Sequence, residues 1–191
     1  MTLRTVVAFL VGSSAVAAQT SAKYPSCVSP ERVQAEQKDA NQKPQNNDGT
    51  VLVYVFLITG GGDIKPARMG LMTVIERDPA GQAYMDGVLN IHKIADDYRS
   101  KAPREEGDLI SMEELRAIEK VSRVIRARDD VRLVELDEEG KARIVLHPGA
   151  YVVDVRGSGG VNEAFWLGTA AVESGKDTPL KMSRPLVAYA R

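Results

Sequence analysis

Apolar and polar residues alternate through Arg143-Ile144-Val145-Leu146 and again through Tyr151-Val152-Val153-Asp154-Val155. Alternation at period two marks strands with one face buried. Asp137-Glu138-Glu139-Gly140 and His147-Pro148-Gly149 interrupt the runs, and a Gly at each turn permits the backbone angles of a tight reversal. The stretch Val131–Arg156 therefore predicts three extended runs joined by two compact turns. Thr50–Ile58 (TVLVYVFLI) is apolar without a break and reads as a strand buried on both faces. Met69–Glu76, Glu163–Glu173 and Thr178–Ser183 supply further strands, with Pro185–Ala190 as an edge extension. An isolated hairpin is unstable in water, so about seven strands should pack as two sheets. The expectation is a mainly β fold, an antiparallel seven-stranded β-sandwich.

At Asp78-Pro79 the period changes. Asp suits a helix N-cap and Pro the first helical position. Tyr84, Val88, Ile91, Ala95 and Tyr98 then recur at helical spacing, and Pro103 and Gly107 end the segment. A second helix is read from the capping box Ser111-Met112-Glu113-Glu114, with Met112, Leu115, Ile118, Ser122 and Ile125 on one face. Arg116, Lys120 and Arg123 line its other side as a solvated face, and Glu119 can pair with Arg123 four residues on. The result is a two-helix insertion at about 79–128, between the second and third strands. Insertions of this length cover a core face or carry function. If the helices leave an apolar face open, self-association through them follows.

The first residues add a compartment. Arg4, the apolar run Val6–Gly12 and the small residues Ala15–Ala18 form a secretory signal pattern, so 1–22 reads as a signal peptide and the protein as exported, periplasmic or extracellular. Residues 23–49 are polar and read as a disordered leader, with the β-sandwich domain over 50–191. Cys27 is the lone cysteine, so a free thiol or an intermolecular disulfide is expected rather than an internal one. No later apolar run is long enough to span a membrane, and the formal net charge of −1 gives no field that would select nucleic acid.

Asp137-Glu138-Glu139-Gly140-Lys141-Ala142-Arg143-Ile144-Val145-Leu146-His147-Pro148-Gly149-Ala150-Tyr151-Val152-Val153-Asp154-Val155, preceded by the Pro-Ala step at Lys65-Pro66-Ala67-Arg68, resembles the carboxypeptidase regulatory-like, transthyretin-like β-sandwich. The resemblance covers Val131–Met182 well and Val51–Ile75 more weakly. It implies a scaffold in which Gly140, Pro148, Gly149 and Tyr151 are structural. Such domains serve as stability, adhesion, or carbohydrate- and protein-binding modules, and the resemblance brings no active site with it.

Chemistry-bearing residues are sparse. His92 and His147 exhaust the imidazoles, and neither has the ligand spacing of a zinc site. The final residues Leu186–Arg191 do not carry the Tyr-Arg-Gly-Ser ending of hydroxyisourate hydrolases, and the two histidines do not match the iron-ligand spacing of intradiol dioxygenases. Gly60-Gly61-Gly62-Asp63 lacks the Gly-Lys-Ser/Thr of a phosphate loop. No cofactor is therefore expected. Phe165 and Trp166 are adjacent and must point to opposite faces of a strand. Trp166, Tyr98 and His92 are the candidate binding residues. The expected function is an exported, non-enzymatic binding or structural module with a protein or saccharide partner. The alternative is a small-ligand carrier or enzyme with its pocket between the helices and the sheet.

Overall fold

The computed structural model describes residues 29–40, 47–159 and 162–190. The segment read as an export signal and Cys27 lie outside them. Among the described residues the order is α1 (Pro30–Ala40), β1 (Gly49–Ile58), β2 (Ile64–Pro66), β3 (Arg68–Glu76), α2 (Pro79–Lys101), a 3-10 turn (Arg104–Glu106), α3 (Gly107–Arg126), β4 (Arg132–Glu135), β5 (Lys141–Leu146), β6 (Gly149–Gly159), β7 (Asn162–Val172), β8 (Asp177–Met182) and β9 (Val187–Ala190). No helix among the described residues is long and apolar enough to cross a membrane.

The strands form two sheets, as the alternation requires. In sheet one, β1 is central, with antiparallel β5 on one edge and β8 on the other. The short β2 continues the β5 edge, and the handover falls at Val55. Its N–H donates to the Gly140 carbonyl at 2.8 Å, and its own carbonyl accepts from Ala67 N–H at 3.0 Å. Sheet two runs β4-β3-β6-β7-β9, antiparallel throughout.

Among the described residues the strands number nine, not seven. Ile64–Pro66 is an additional edge strand, too short for alternation to register, and the edge extension expected over 185–190 is a strand of its own, Val187–Ala190. β8 also runs parallel to β1, so sheet one is mixed rather than antiparallel. The helical insertion accordingly follows the third strand.

Two cores result. Between the sheets lie Val51, Val53, Val55, Met72, Val153 and Trp166. Between sheet two and the helices lie Leu71, Ile75, Val88, Ile118, Val152 and Phe165. The Asp78 carboxylate caps α2 by accepting from Gly81 N–H at 2.7 Å. α3 starts at Gly107, four residues before the expected cap, because Ser111 and Glu114 are both buried inside the helix. Leu115, Ile118 and Ile125 are buried within the chain, so these three residues do not form the open apolar face on which self-association is conditional. Glu119 pairs with Arg126 and Arg156 rather than Arg123.

A second correction concerns the leader. Residues 30–40, expected as disordered, form α1. Its anchorage is polar as much as apolar. Val33 is buried, while Arg32 donates to the carbonyls of Arg126, at the end of α3, and of Arg128 and Val131 between α3 and β4. The Gln37 amide accepts from Glu135 N–H at 2.7 Å and donates to Glu135 C=O at 3.3 Å. A side-chain amide here occupies the place of a neighbouring strand at the β4 edge.

The turn residues act locally. Gly140 adopts φ 74°, and the Asp137 carboxylate accepts from the N–H groups of Glu139 and Lys141 at 2.9 and 2.8 Å. Gly149 opens β6 directly after Pro148, and the Tyr151 hydroxyl donates to the His147 carbonyl at 2.9 Å.

Candidate functional site

β1 is not buried on both faces. Val51, Val53, Val55 and Leu57 face the core, whereas Leu52 and Ile58 are exposed and Tyr54 and Phe56 partly so. Residues directly opposite one another in a sheet share a face, so the registers define rows across the outer surface. Leu52 lies between Arg143 and Pro179, and Tyr54 lies between Lys141 and Lys181. Phe56 lies beside Pro66, and Ile58 beside Ile64, which is 61% exposed. The Tyr54 and Phe56 ring centroids are 4.8 Å apart with their planes tilted by 35°.

Cations frame this strip. Lys141 Nζ lies 5.9 Å from the Tyr54 ring centroid, within cation–π range. It also pairs with Glu139, whose hydrogen bond and charge hold its pKa above the usual lysine range. Arg143 reaches Thr50 Oγ1 at 3.5 Å. Lys181 has no carboxylate partner among the described residues. A shallow depression of about 750 Å³ is lined by Leu52, Tyr54, Lys141, Arg143 and Lys181, and also by Glu135 and Asp137. Flat aromatic surface with Arg143 and Lys181 beside it suits a ligand with an apolar face and anionic groups.

The other polar concentration is sealed between sheet two and the helices. The Tyr84 hydroxyl donates to Asp154 Oδ2 at 2.7 Å and lies 2.9 Å from Ser122 Oγ. Arg126 donates from Nε to Thr73 Oγ1 at 3.2 Å and through its NH1 group to the Glu119 carboxylate at 3.2 and 3.4 Å. Its other terminal nitrogen stands 3.7 Å from Asp154 Oδ1, too far for a hydrogen bond. Arg156 continues the chain to Glu119 at 2.9 Å and to Glu163 at 3.4 Å. Burial pushes the Asp154 carboxyl up, and burial together with the Asp154 charge pushes the Tyr84 hydroxyl up. With Tyr84, Ser122, Arg126, Thr73 and Asp154 all buried, the arrangement ties α2 and α3 to sheet two rather than meeting a substrate.

The three residues singled out from the sequence do not converge. Trp166 is fully buried between the sheets, so it offers no binding surface. Phe165, its neighbour, is buried on the opposite face under the helices. His92 and Tyr98 lie on α2, beyond sheet two. His92 Nδ1 is 2.6 Å from Glu114 Oε1, and the other Glu114 oxygen accepts from Arg99. Burial raises the Glu114 pKa, against the opposing pull of His92 and Arg99. Tyr98 is partly exposed. His147 is far along the chain at the β5–β6 turn, 2.7 Å from Asp48 Oδ1. No group of three or more metal-ligating side chains converges among the described residues.

Sequence reasoning passes over Tyr54, Phe56 and Lys181, although a signal is present. Odd positions of β1 read Val-Val-Val-Leu and even positions Leu-Tyr-Phe-Ile. The compact β-branched parity fits a tight inter-sheet core, which leaves the aromatic parity outside.

Fold and site together define a two-sheet β domain with one sheet sealed by helices and the other presenting an aromatic, cation-framed face. No family model and no curated protein matches this chain. It is similar to a crystal structure from Pseudomonas aeruginosa provisionally described as a carbohydrate binding protein, with 13% identity and a TM-score of 0.41 over 81% of this chain and 97% of that one.

Proposed function

We propose that the protein is an exported, non-enzymatic binding module of the carboxypeptidase regulatory-like type, and that the outer face of sheet one is its ligand surface. The ligand class is an acidic polysaccharide. The observation that carries this is the central row Lys141–Tyr54–Lys181, with Phe56 stacked one row on. Sugar rings present apolar C–H faces to aromatic side chains, and carboxylated sugars add the charge that Lys141, Arg143 and Lys181 would receive. The non-enzymatic part rests on the burial of Tyr84, Asp154 and Arg126, which closes that polar cluster off from solvent, while His92 and Arg99 are tied to Glu114. Export rests on the N-terminal charge, apolar run and small residues.

Affinity electrophoresis and calorimetry with polygalacturonate, against dextran as a neutral control, test the reading. Tyr54→Ala and Lys181→Glu should each weaken binding at least roughly tenfold, about 1.4 kcal/mol, without changing the fold. Equal retention by dextran would remove the charge argument. Unchanged binding in Tyr54→Ala would remove the site.

A further inference from the structure

The passage from α2 into α3 meets the approach to β9 around a cavity of about 460 Å³. Arg99, Arg104, Asp108 and Ser111 line one side, and the segment 186–188 lines the other. The cavity lies on the helical side of sheet two, apart from the aromatic face, so a ligand in one place does not depend on a ligand in the other.

Several hydrogen-bond donors gather here without acceptors. Arg99 donates to Asp96 at 3.1 Å and to Glu114, so its charge is already matched, yet its Nε is buried with no acceptor among the described residues. Arg104 is exposed and has no carboxylate partner among the described residues. Ser111 is 6% exposed, and its hydroxyl has no hydrogen-bond partner among them either. α3 is 20 residues long, follows directly on the 3-10 turn with Gly107 N–H donating to the Arg104 carbonyl, and has no side chain capping its first turn. Uncapped N–H groups at a helix start carry about half a positive charge toward whatever sits before them. The acid in the lining, Asp108, is exposed and makes no ion pair with Arg104, so it can turn to solvent when a second negative charge arrives.

We propose that this cavity binds a small oxyanion, a phosphate or sulfate group that is either free or carried on a small organic molecule. Arg104 would supply the unmatched charge. Ser111 Oγ and the first turn of α3 would donate neutral hydrogen bonds, and the volume falls within the range of small-molecule pockets. The chemistry is that of phosphate recognition by a guanidinium set against a helix N-terminus.

The full chain would be titrated with inorganic phosphate at fixed ionic strength and followed by amide NMR shifts, with sodium chloride as the matched control. The expected result is a saturable shift of the Gly107–Ser111 amides. Arg104→Ala and Ser111→Ala should each weaken it at least fivefold, and Asp108→Asn should strengthen it severalfold. Arg104 and Asp108 are exposed, so these two variants report on the site even if Ser111→Ala disturbs α3. Glycerol 3-phosphate binding more tightly than phosphate, with glycerol inert, supports an ester as occupant. Equal affinity supports the free anion. No saturable shift, the same shift with chloride, or an Arg104→Ala response equal to the wild type overturns the proposal.

Discussion

Replacing Arg126 with Met removes the charge at the centre of the sealed polar layer while keeping most of the side chain's length. Arg126 is fully buried, bonded to Thr73 and Glu119 and set 3.7 Å from Asp154. In the variant, Glu119 keeps Arg156, but Asp154 is left fully buried without its cation, its donors being the hydroxyls of Tyr84, at 2.7 Å, and Thr73. Breaking a buried ion pair from one side costs about 3–5 kcal/mol. At roughly 2–4 °C per kcal/mol for a chain of this size, Tm should fall by about 6–20 °C. The double variant Arg126→Met with Asp154→Leu should recover most of that loss, since the stranded charge is gone. pH supplies an independent sign. Burial raises the Asp154 carboxyl, and the Arg126 charge pulls it back down. A carboxyl raised by folding leaves stability fully present below its unfolded value of about 3.9, and that stability is lost as pH rises through the folded value. Without Arg126 the folded value climbs further, so the penalty should be largest at pH 7 and shrink toward pH 4. Urea unfolding followed by circular dichroism at both pH values measures this. A loss under about 1 kcal/mol at pH 7, a penalty that grows toward acid, or a double variant worse than the single would each refute it.

Two further substitutions test local geometry. A Cβ at Gly140 would lie 2.4 Å from the Val55 carbonyl oxygen at φ 74°, whereas Gly175 has φ 66° with open space around it. Urea unfolding should therefore show Gly140→Ala losing more than about 2 kcal/mol and Gly175→Ala only about 1, and equal losses would mean that β1 yields to the intruding atom. Gln37→Ala strips the side-chain amide from both backbone groups of Glu135. The expected loss is about 1–2 kcal/mol, with concentration-dependent association visible by light scattering once the β4 edge is bare. A variant that stays monomeric and as stable as the wild type would deny the amide its guarding role.

Much of the fold is legible where a local rule decides the outcome. The alternation over Arg143–Leu146 and Tyr151–Val155 gives β5 and β6, and Asp78 caps α2 as its position suggests. Other features depend on partners far along the chain. Ser111-x-x-Glu114 has the spacing of a capping box, but tertiary packing draws Glu114 inward to Arg99 and His92, and the helix begins at Gly107 instead. A polar composition suggests disorder for 23–49, because apolar area alone could not order it. The ordering of Pro30–Ala40 comes from Arg32 and Gln37 satisfying carbonyls and an amide about a hundred residues away, at separations of 94 to 99. Trp166 stands out in the sequence for its size and chemistry, and both properties serve the inter-sheet core instead of a ligand.

The candidate face is hidden from the sequence for the same reason, and its makeup separates two roles for its lysines. Tyr54 comes from β1, Lys141 from β5 and Lys181 from β8, so no local motif could contain them. Lysines on outer strands also deter edge pairing, and that role alone would explain Lys181 on β8, where Pro179 already blocks a ladder hydrogen bond. It would not explain the centre strand. A sheet face selected only for solubility has no use for Leu52, Tyr54, Phe56 and Ile58 in a row, since each adds apolar surface facing water. Sheet two hides its comparable residues under α2 and α3, and the chain uses two helices and a buried ion network to do so. Sheet one has no such cover among the described residues. Cations placed on either side of an uncovered aromatic row keep that row soluble and still open to an anionic chain, which a covering helix would not.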